Sequence, residues 1–217
     1  MSYFPFFKEI EGEKCLVIGG GKVAARKISR LKEFGVKIKV VAPSIVSDIE
    51  AMAQACDNIS VERRIITPQD IENADFVIAA AGEEADKEAA RLCKERSIPV
   101  NVVDNQELCD FIFPSIIRKG DMVAGFVTGG KSPHVAAKIR RDCEMNISDN
   151  IEDILDYLAR IRKLAKDRIS DERKRAAYIR EVSEFCMKAD RVCSNKEENA
   201  FLQKYLDNRS ETVLPGA

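Results

Sequence analysis

Three consecutive glycines and a small residue three places on, Gly19-Gly20-Gly21-Lys22-Val23-Ala24, satisfy the spacing Gly-x-Gly-x-x-Ala. In that spacing the first glycine permits a tight turn and the second lets a diphosphate approach the backbone. The small last residue lets a helix pack closely on a sheet. The motif carries meaning only between a strand and a helix, and both are predicted. Cys15, Leu16, Val17 and Ile18 read as a buried strand, and Val23, Ala24, Ile28, Leu31 and Phe34 recur at helical spacing. The free N–H groups opening that helix would face a phosphate. Gly19 and Gly21 are therefore candidate dinucleotide contacts, the alternative being a glycine turn that binds nothing.

The second strand ends Val40-Val41-Ala42-Pro43-Ser44, without the acidic residue that usually takes the ribose hydroxyls. Backbone or Ser44 is left to hold the adenosine end, and Ala42 to Ser47 offers no Arg or Lys for a 2′-phosphate, so NAD is expected over NADP. Asp104 follows the strand-like Val100–Val103, at the sheet edge where open α/β folds bind ligands. It is a candidate proton acceptor or substrate-orienting group, or else a turn cap. Arg118, Lys119, Lys131, Lys138, Arg140 and Arg141 form a cationic stretch suited to a multiply anionic substrate, or a solvated surface. His134, the one histidine, opens a predicted helix with no partners for a metal, so a structural or substrate-contacting role is expected and no metal site. Cys186 and Cys193, seven apart, are expected on one helix face as core.

The elements that position these residues alternate. After the first strand and helix come a strand Val36–Val41, a helix near Ser47–Ala55, strands near Ile59–Glu62 and Phe76–Ala80, a helix Glu84–Arg96 and a strand Pro99–Val103. Such alternation implies an α/β fold with a parallel, doubly wound sheet, the Rossmann arrangement. The rhythm then changes. Phe111–Ile117 and Met122–Thr128, separated by Arg118-Lys119-Gly120-Asp121, read as a hairpin, and Ser132-Pro133 opens a helix to about Met145. The remainder reads as helical, with stripes through Ile151, Ile154, Leu155, Leu158, Ile161 and through Val182, Phe185, Cys186, Ala189, Val192, Cys193. Boundaries are expected at 113 and 147, giving 1–113, 114–146 and 147–217, with Ser210–Ala217 a frayed tail.

Composition excludes some functions. A chain of 217 residues with net charge −1 gives no reason to expect nucleic acid as the partner. Charge is nevertheless uneven: residues 114–141 carry six basic and one acidic side chain, between acidic flanks. Seven cysteines without a Cys-x-x-Cys pair argue against a disulfide framework or zinc knuckle. No stretch approaches a membrane span, and Met1–Phe7 lacks the basic leader of a signal peptide, so a cytoplasmic protein with no membrane partner is expected.

The sequence resembles the precorrin-2 dehydrogenases, including the N-terminal part of siroheme synthase and the bifunctional dehydrogenase/ferrochelatase of yeast. The resemblance covers nearly the whole chain. It rests on Tyr3-Phe4-Pro5-Phe6-Phe7, on the run Cys15 to Lys27, on Asn101-Val102-Val103-Asp104, on Phe113-Pro114-Ser115-Ile116-Ile117 and on Thr128-Gly129-Gly130-Lys131-Ser132-Pro133, in family order. It implies a Rossmann domain, a dimerisation segment of hairpin and helix, a C-terminal helical domain and a homodimer. It further implies NAD as hydride acceptor, with Lys22, Val23, Pro43, Ser44 and Ala81 at cofactor-contacting positions and Asp104 central to activity. The multiply carboxylated tetrapyrrole precorrin-2 would be the substrate, met by Thr128, Lys131, Ser132, His134 and Arg118, and oxidised to sirohydrochlorin. Insertion of Fe²⁺ into that product, which some relatives perform, has no independent support in the residues. A non-catalytic nucleotide sensor is the rival of another class. No methyltransferase domain is expected on this chain.

Overall fold

A computed structural model describes residues 3–206, and the expected frayed tail Ser210–Ala217 lies outside the described residues. The chain divides into two compact units, one running to Pro114 and including Gly129–Lys131, the other Ser115–Thr128 and Ser132 onward.

The first unit is a five-stranded parallel sheet. Its strands are β1 (Lys14–Ile18), β2 (Lys37–Val41), β3 (Ile59–Glu62), β4 (Phe76–Ala79) and β5 (Val100–Val102), in the order β3-β2-β1-β4-β5. Register follows the period-two alternation: Val17 lies between Val40 and Ile78, and Ile18 between Val41 and Ala79. One face packs Cys15, Val17, Ile38, Val40 and Ile78 against Ala24, Ala25, Ile28 and Leu31 of α1 (Lys22–Leu31) and Ile49 of α2 (Ser47–Ala55). The other packs Leu16, Ile18, Val41, Val77 and Ala79 against Ile71 of α3 (Pro68–Glu72) and Ala89, Ala90, Leu92 and Cys93 of α4 (Glu83–Glu95). Strands covered on both faces read as unbroken apolar runs, which is why the Rossmann expectation was legible. The short α3 escaped the sequence reading, although its signals are local. Thr67 caps it, Pro68 occupies the first helical position and Asp70 closes a capping box.

Asp70 also anchors an ion-pair network. Its nearly buried carboxylate accepts from Arg64 Nη1 and Nη2 at 2.6 Å each, from Lys39 Nζ at 3.0 Å and from the Thr67 amide at 2.9 Å. The Arg64 guanidinium above all holds this carboxyl well below the usual carboxylate range. A depressed carboxyl contributes stability that is present above its unfolded value, about 4, and is lost as pH falls through its folded one. Acid unfolding of the protein should therefore steepen below pH of about 4, and Asp70→Asn should flatten that limb. Because Arg64 and Lys39 keep roughly a third of their surface in water, the cost at neutral pH should be about 2 kcal/mol, below the roughly 3–5 of a fully buried pair. Denaturant midpoints of both proteins against pH check this.

In the second unit, β6 (Ser115–Lys119) and β7 (Met122–Phe126) form an antiparallel hairpin, followed by α5 (Pro133–Glu144), α6 (Ile151–Arg168), α7 (Glu172–Ala189) and α8 (Asn195–Tyr205). The hairpin is shorter than expected at its open end and longer at its turn. Pro114 cannot donate to a ladder, and the Phe111 carbonyl is taken by Asn101 Nδ2 at 2.9 Å, so pairing starts at Ser115 instead of Phe111. Arg118 and Lys119 belong to the ladder, leaving a two-residue turn, Gly120-Asp121, in place of the four expected.

The helical stripe through Val182 to Cys193 is also corrected. Asp190, in the left-handed conformation at φ 53°, ends α7, so Val192 and Cys193 lie beyond it. Cys186 and Cys193 still meet, sulfurs 3.8 Å apart and buried, because the chain reverses there and not because they share a helix face. Their core is built from Ile154, Tyr157, Ile161, Tyr178, Val182 and Leu202.

Candidate active site

The carboxyl ends of β1, β2, β4 and β5 bear the turns that carry Gly19–Gly21, Pro43-Ser44, Ala80–Gly82 and Asp104. The three glycines are not equivalent. Gly19 has φ 112°, and a Cβ there would stand 2.2 Å from the Ala80 carbonyl oxygen; at Gly20 it would stand 2.1 Å from that of Ser44. Both are required by the close approach of neighbouring turns. Gly21, by contrast, has φ −87° and an added Cβ would meet nothing within 4 Å. Neither backbone nor packing calls for glycine at this position, which leaves the space in front of it as the reason.

That space faces the opening turn of α1. The helix has no side-chain cap and no acidic residue in its first turn. Its first internal bond runs from the Ala25 amide to the Gly21 carbonyl at 3.0 Å, so the amides of Lys22, Val23 and Ala24 have no partner within the helix. Open space at Gly21, beside amides that have no partner within the helix at its positive end, fits a dinucleotide's diphosphate. Lys22 and Val23 are exposed there, as are Pro43 and Ser44 across the Gly20 contact. Ala81 is also exposed, but its amide already donates to Asp86 Oδ1 at 2.8 Å, so its backbone N–H is committed to the turn.

Asp104 is exposed and holds φ 58°, a left-handed conformation that Asp tolerates better than most residues. Its carboxylate makes no side-chain hydrogen bond among the described residues, and the 3-10 turn Gln106–Leu108 beside it has Asn105 at its N-cap without a side-chain bond. The capping alternative is thus not what the structure displays. The surrounding loop is tied down. The Asp110 carboxylate accepts from the Val100 amide at 3.0 Å, and the Cys109 thiol lies 3.1 Å from the Val102 amide and 3.3 Å from the Asn105 carbonyl. Inside the loop's base, Lys27 Nζ donates to Asn101 Oδ1 at 2.8 Å and stands 4.3 Å from the Phe113 ring centre.

Sequence reasoning passed over Lys27 as a site residue, yet a signal exists. Ala24, Lys27, Ile28 and Leu31 share the spacing of one helix face, and the other three are buried. A lysine set among buried positions needs partners, and here it finds an amide and a ring.

The substrate-side candidates do not all fall together. Lys131 belongs to the first unit, where neighbouring Gly130 lies against the Gln106 side chain. Thr128, Ser132, His134 and Arg118 belong to the second. Thr128 Oγ1 donates to the Ser132 carbonyl at 2.9 Å, and Ser132 Oγ accepts from the Val135 amide at 3.3 Å as the cap of α5. His134 is exposed in the first turn of α5, and Arg118 Nε donates to the Gly120 carbonyl at 3.3 Å.

Comparison with known proteins places this geometry in context. Residues 6–115 match the model of a family described as "Putative NAD(P)-binding". The chain is 31% identical to a siroheme synthase of Nitrosococcus oceani over 92% of its own length and 42% of the relative's. It is 33% identical to one of Thioalkalivibrio sulfidiphilus over 100% of its length and 46% of the relative's. It thus spans less than half of these curated relatives. The solved structure of SirC, precorrin-2 dehydrogenase, superposes with a TM-score of 0.70 at 20% identity, covering 94% of this chain and 98% of that one. That likeness shows a shared fold.

Proposed function

The chain belongs to the NAD(P)-binding family whose model spans residues 6–115, and from that premise we propose that it oxidises precorrin-2 to sirohydrochlorin, with NAD⁺ as acceptor, towards siroheme. The observation that carries the reading is Gly21, a glycine that the fold does not need, before an uncapped helix. The homologues' name, siroheme synthase, and the name of the fold's relative supply the substrate.

In this reading the Lys22, Val23 and Ala24 amides hold the diphosphate, and Pro43 and Ser44 border the adenosine. NAD⁺ supplies the hydride acceptor. Asp104 takes the proton that leaves with the hydride, so the substrate loses two hydrogens in all. Arg118, Lys131 and His134 meet substrate carboxylates, and the hydroxyls of Thr128 and Ser132 shape the turn that presents them. Positioning supplies most of the rate. The absence of any Arg or Lys from Ala42 to Ser47 favours NAD⁺ over NADP⁺.

Segment 114–146 is assigned to dimerisation, supported by the exposed apolar Val127, Val135, Ile139 and Met145, and 1–113 and 147–217 to cofactor binding and substrate cover. Seven unpaired cysteines support a reducing cytoplasm. Among the described residues no helix is long and apolar enough to cross a membrane, and no group of three His, Cys, Asp or Glu could hold a metal ion.

The test is anaerobic incubation with precorrin-2 and NAD⁺ or NADP⁺, with and without Fe²⁺, following NADH absorbance. NADH forming in step with sirohydrochlorin, faster with NAD⁺, is expected. Absence of NADH from NAD⁺ and of NADPH from NADP⁺ overturns the reading, and the Fe²⁺ arm reports any metal insertion separately.

A further inference from the structure

We propose that Lys27 is a positioning residue for Asp104: its ammonium, fixed between Asn101 Oδ1 and the Phe113 ring, supplies the positive charge at the base of the Asp104 turn. The inference rests on the reading of Asp104 as the proton acceptor of a dehydrogenase.

The geometry is specific. Lys27 is half-buried on α1 and reaches across the sheet face to β5, where Asn101 is buried. Asn101 uses both ends of its amide, accepting from Lys27 at 2.8 Å and donating to the Phe111 carbonyl at 2.9 Å. Lys27 is therefore tied to the chain where β5 leads into Asp104, through Asn101, and where the loop returns, at the Phe113 ring. A lysine hydrogen-bonded through one donor and stacked on a ring is fixed in place, whereas its unconstrained counterpart would extend into water.

Burial lowers its pKa to about 8, and neighbouring Arg26 pushes the same way, while Cys109, Asp104 and Cys15 act to keep it charged. Of these, burial holds the Cys15 thiol protonated, well above its ordinary range. Asp104 is thus the carboxylate among these groups that favour the Lys27 ammonium. The charge has a purpose in the proposed reaction. A substrate bearing several carboxylates repels the Asp104 carboxylate, and an ammonium tied to the base of that turn holds the turn in place against the repulsion. The hold weakens when Lys27 deprotonates.

Two readouts test this. In the first, NMR titration of lysine side chains, with Lys27 assigned by its absence in Lys27→Arg, should show a midpoint near 8, far below the surface lysines. In Asp104→Asn that midpoint should fall further, because the carboxylate that favours the ammonium is gone. Titration alongside the exposed lysines, or a midpoint unmoved by Asp104→Asn, overturns the proposal, and this readout holds whether or not the protein turns over precorrin-2. In the second, kcat should decline above pH of about 8, and Lys27→Arg, always charged, should move that decline upward. Lys27→Met should lower kcat about tenfold with KM for NAD⁺ unchanged. A merely structural lysine would instead lower thermal stability and leave the shape of the pH profile as it was.

Discussion

Gly21→Asp is expected to weaken NAD⁺ binding at least about 100-fold, roughly 2.7 kcal/mol, while leaving the fold as stable as before or slightly more so. The two effects have opposite signs for physical reasons. Aspartate is among the preferred helix caps, and α1 lacks any side-chain cap, so the new carboxylate gains the amide partners that Gly21 leaves free. The residue fits the backbone at φ −87°, and its Cβ meets no atom within 4 Å. In the proposed complex, however, it occupies the diphosphate's place and repels its charge. Calorimetric titration and thermal unfolding of the same preparation check both halves. Gly19→Ala provides the contrast, because φ 112° and the 2.2 Å approach to Ala80 make it a folding defect. A Gly21→Asp protein that binds NAD⁺ normally would mean that the space serves something else.

Asp104→Asn should lower kcat about 100-fold, the scale of a lost general base, with KM for NAD⁺ and the unfolding midpoint unchanged. Stability should not suffer because asparagine adopts the left-handed backbone of φ 58° at least as readily. Nor, among the described residues, does the native carboxylate make a side-chain hydrogen bond that the amide would break. Steady-state rates with precorrin-2 and a thermal melt of each protein measure this. An undiminished rate assigns the proton to solvent and leaves Asp104 an orienting role.

The cofactor half of this account was legible because its signals are local. A glycine turn between an apolar strand and an apolar helix face is confined to residues 14–34, and β1 and α1 formed where that pattern placed them. Which glycine answers to the fold and which to a ligand was not legible, since the distinction depends on Ala80 and Ser44, distant in sequence. Lys27 was missed for the same reason: its partners Asn101 and Phe113 lie more than seventy residues away. The hairpin was overextended because Phe111 and Phe113 look like strand residues, while in the fold Phe111 packs edge-on to Phe76 and Phe113 lies under Lys27. Periodicity alone places Cys193 on α7, because the apolar pattern continues past Asp190 although the helix does not.

Crystals grown with saturating NAD⁺ offer the most direct test. Diphosphate density against the amides of Lys22, Val23 and Ala24, in front of Gly21, is the predicted result. An ordered NAD⁺ elsewhere on the protein, or that turn empty at saturation, would contradict the account.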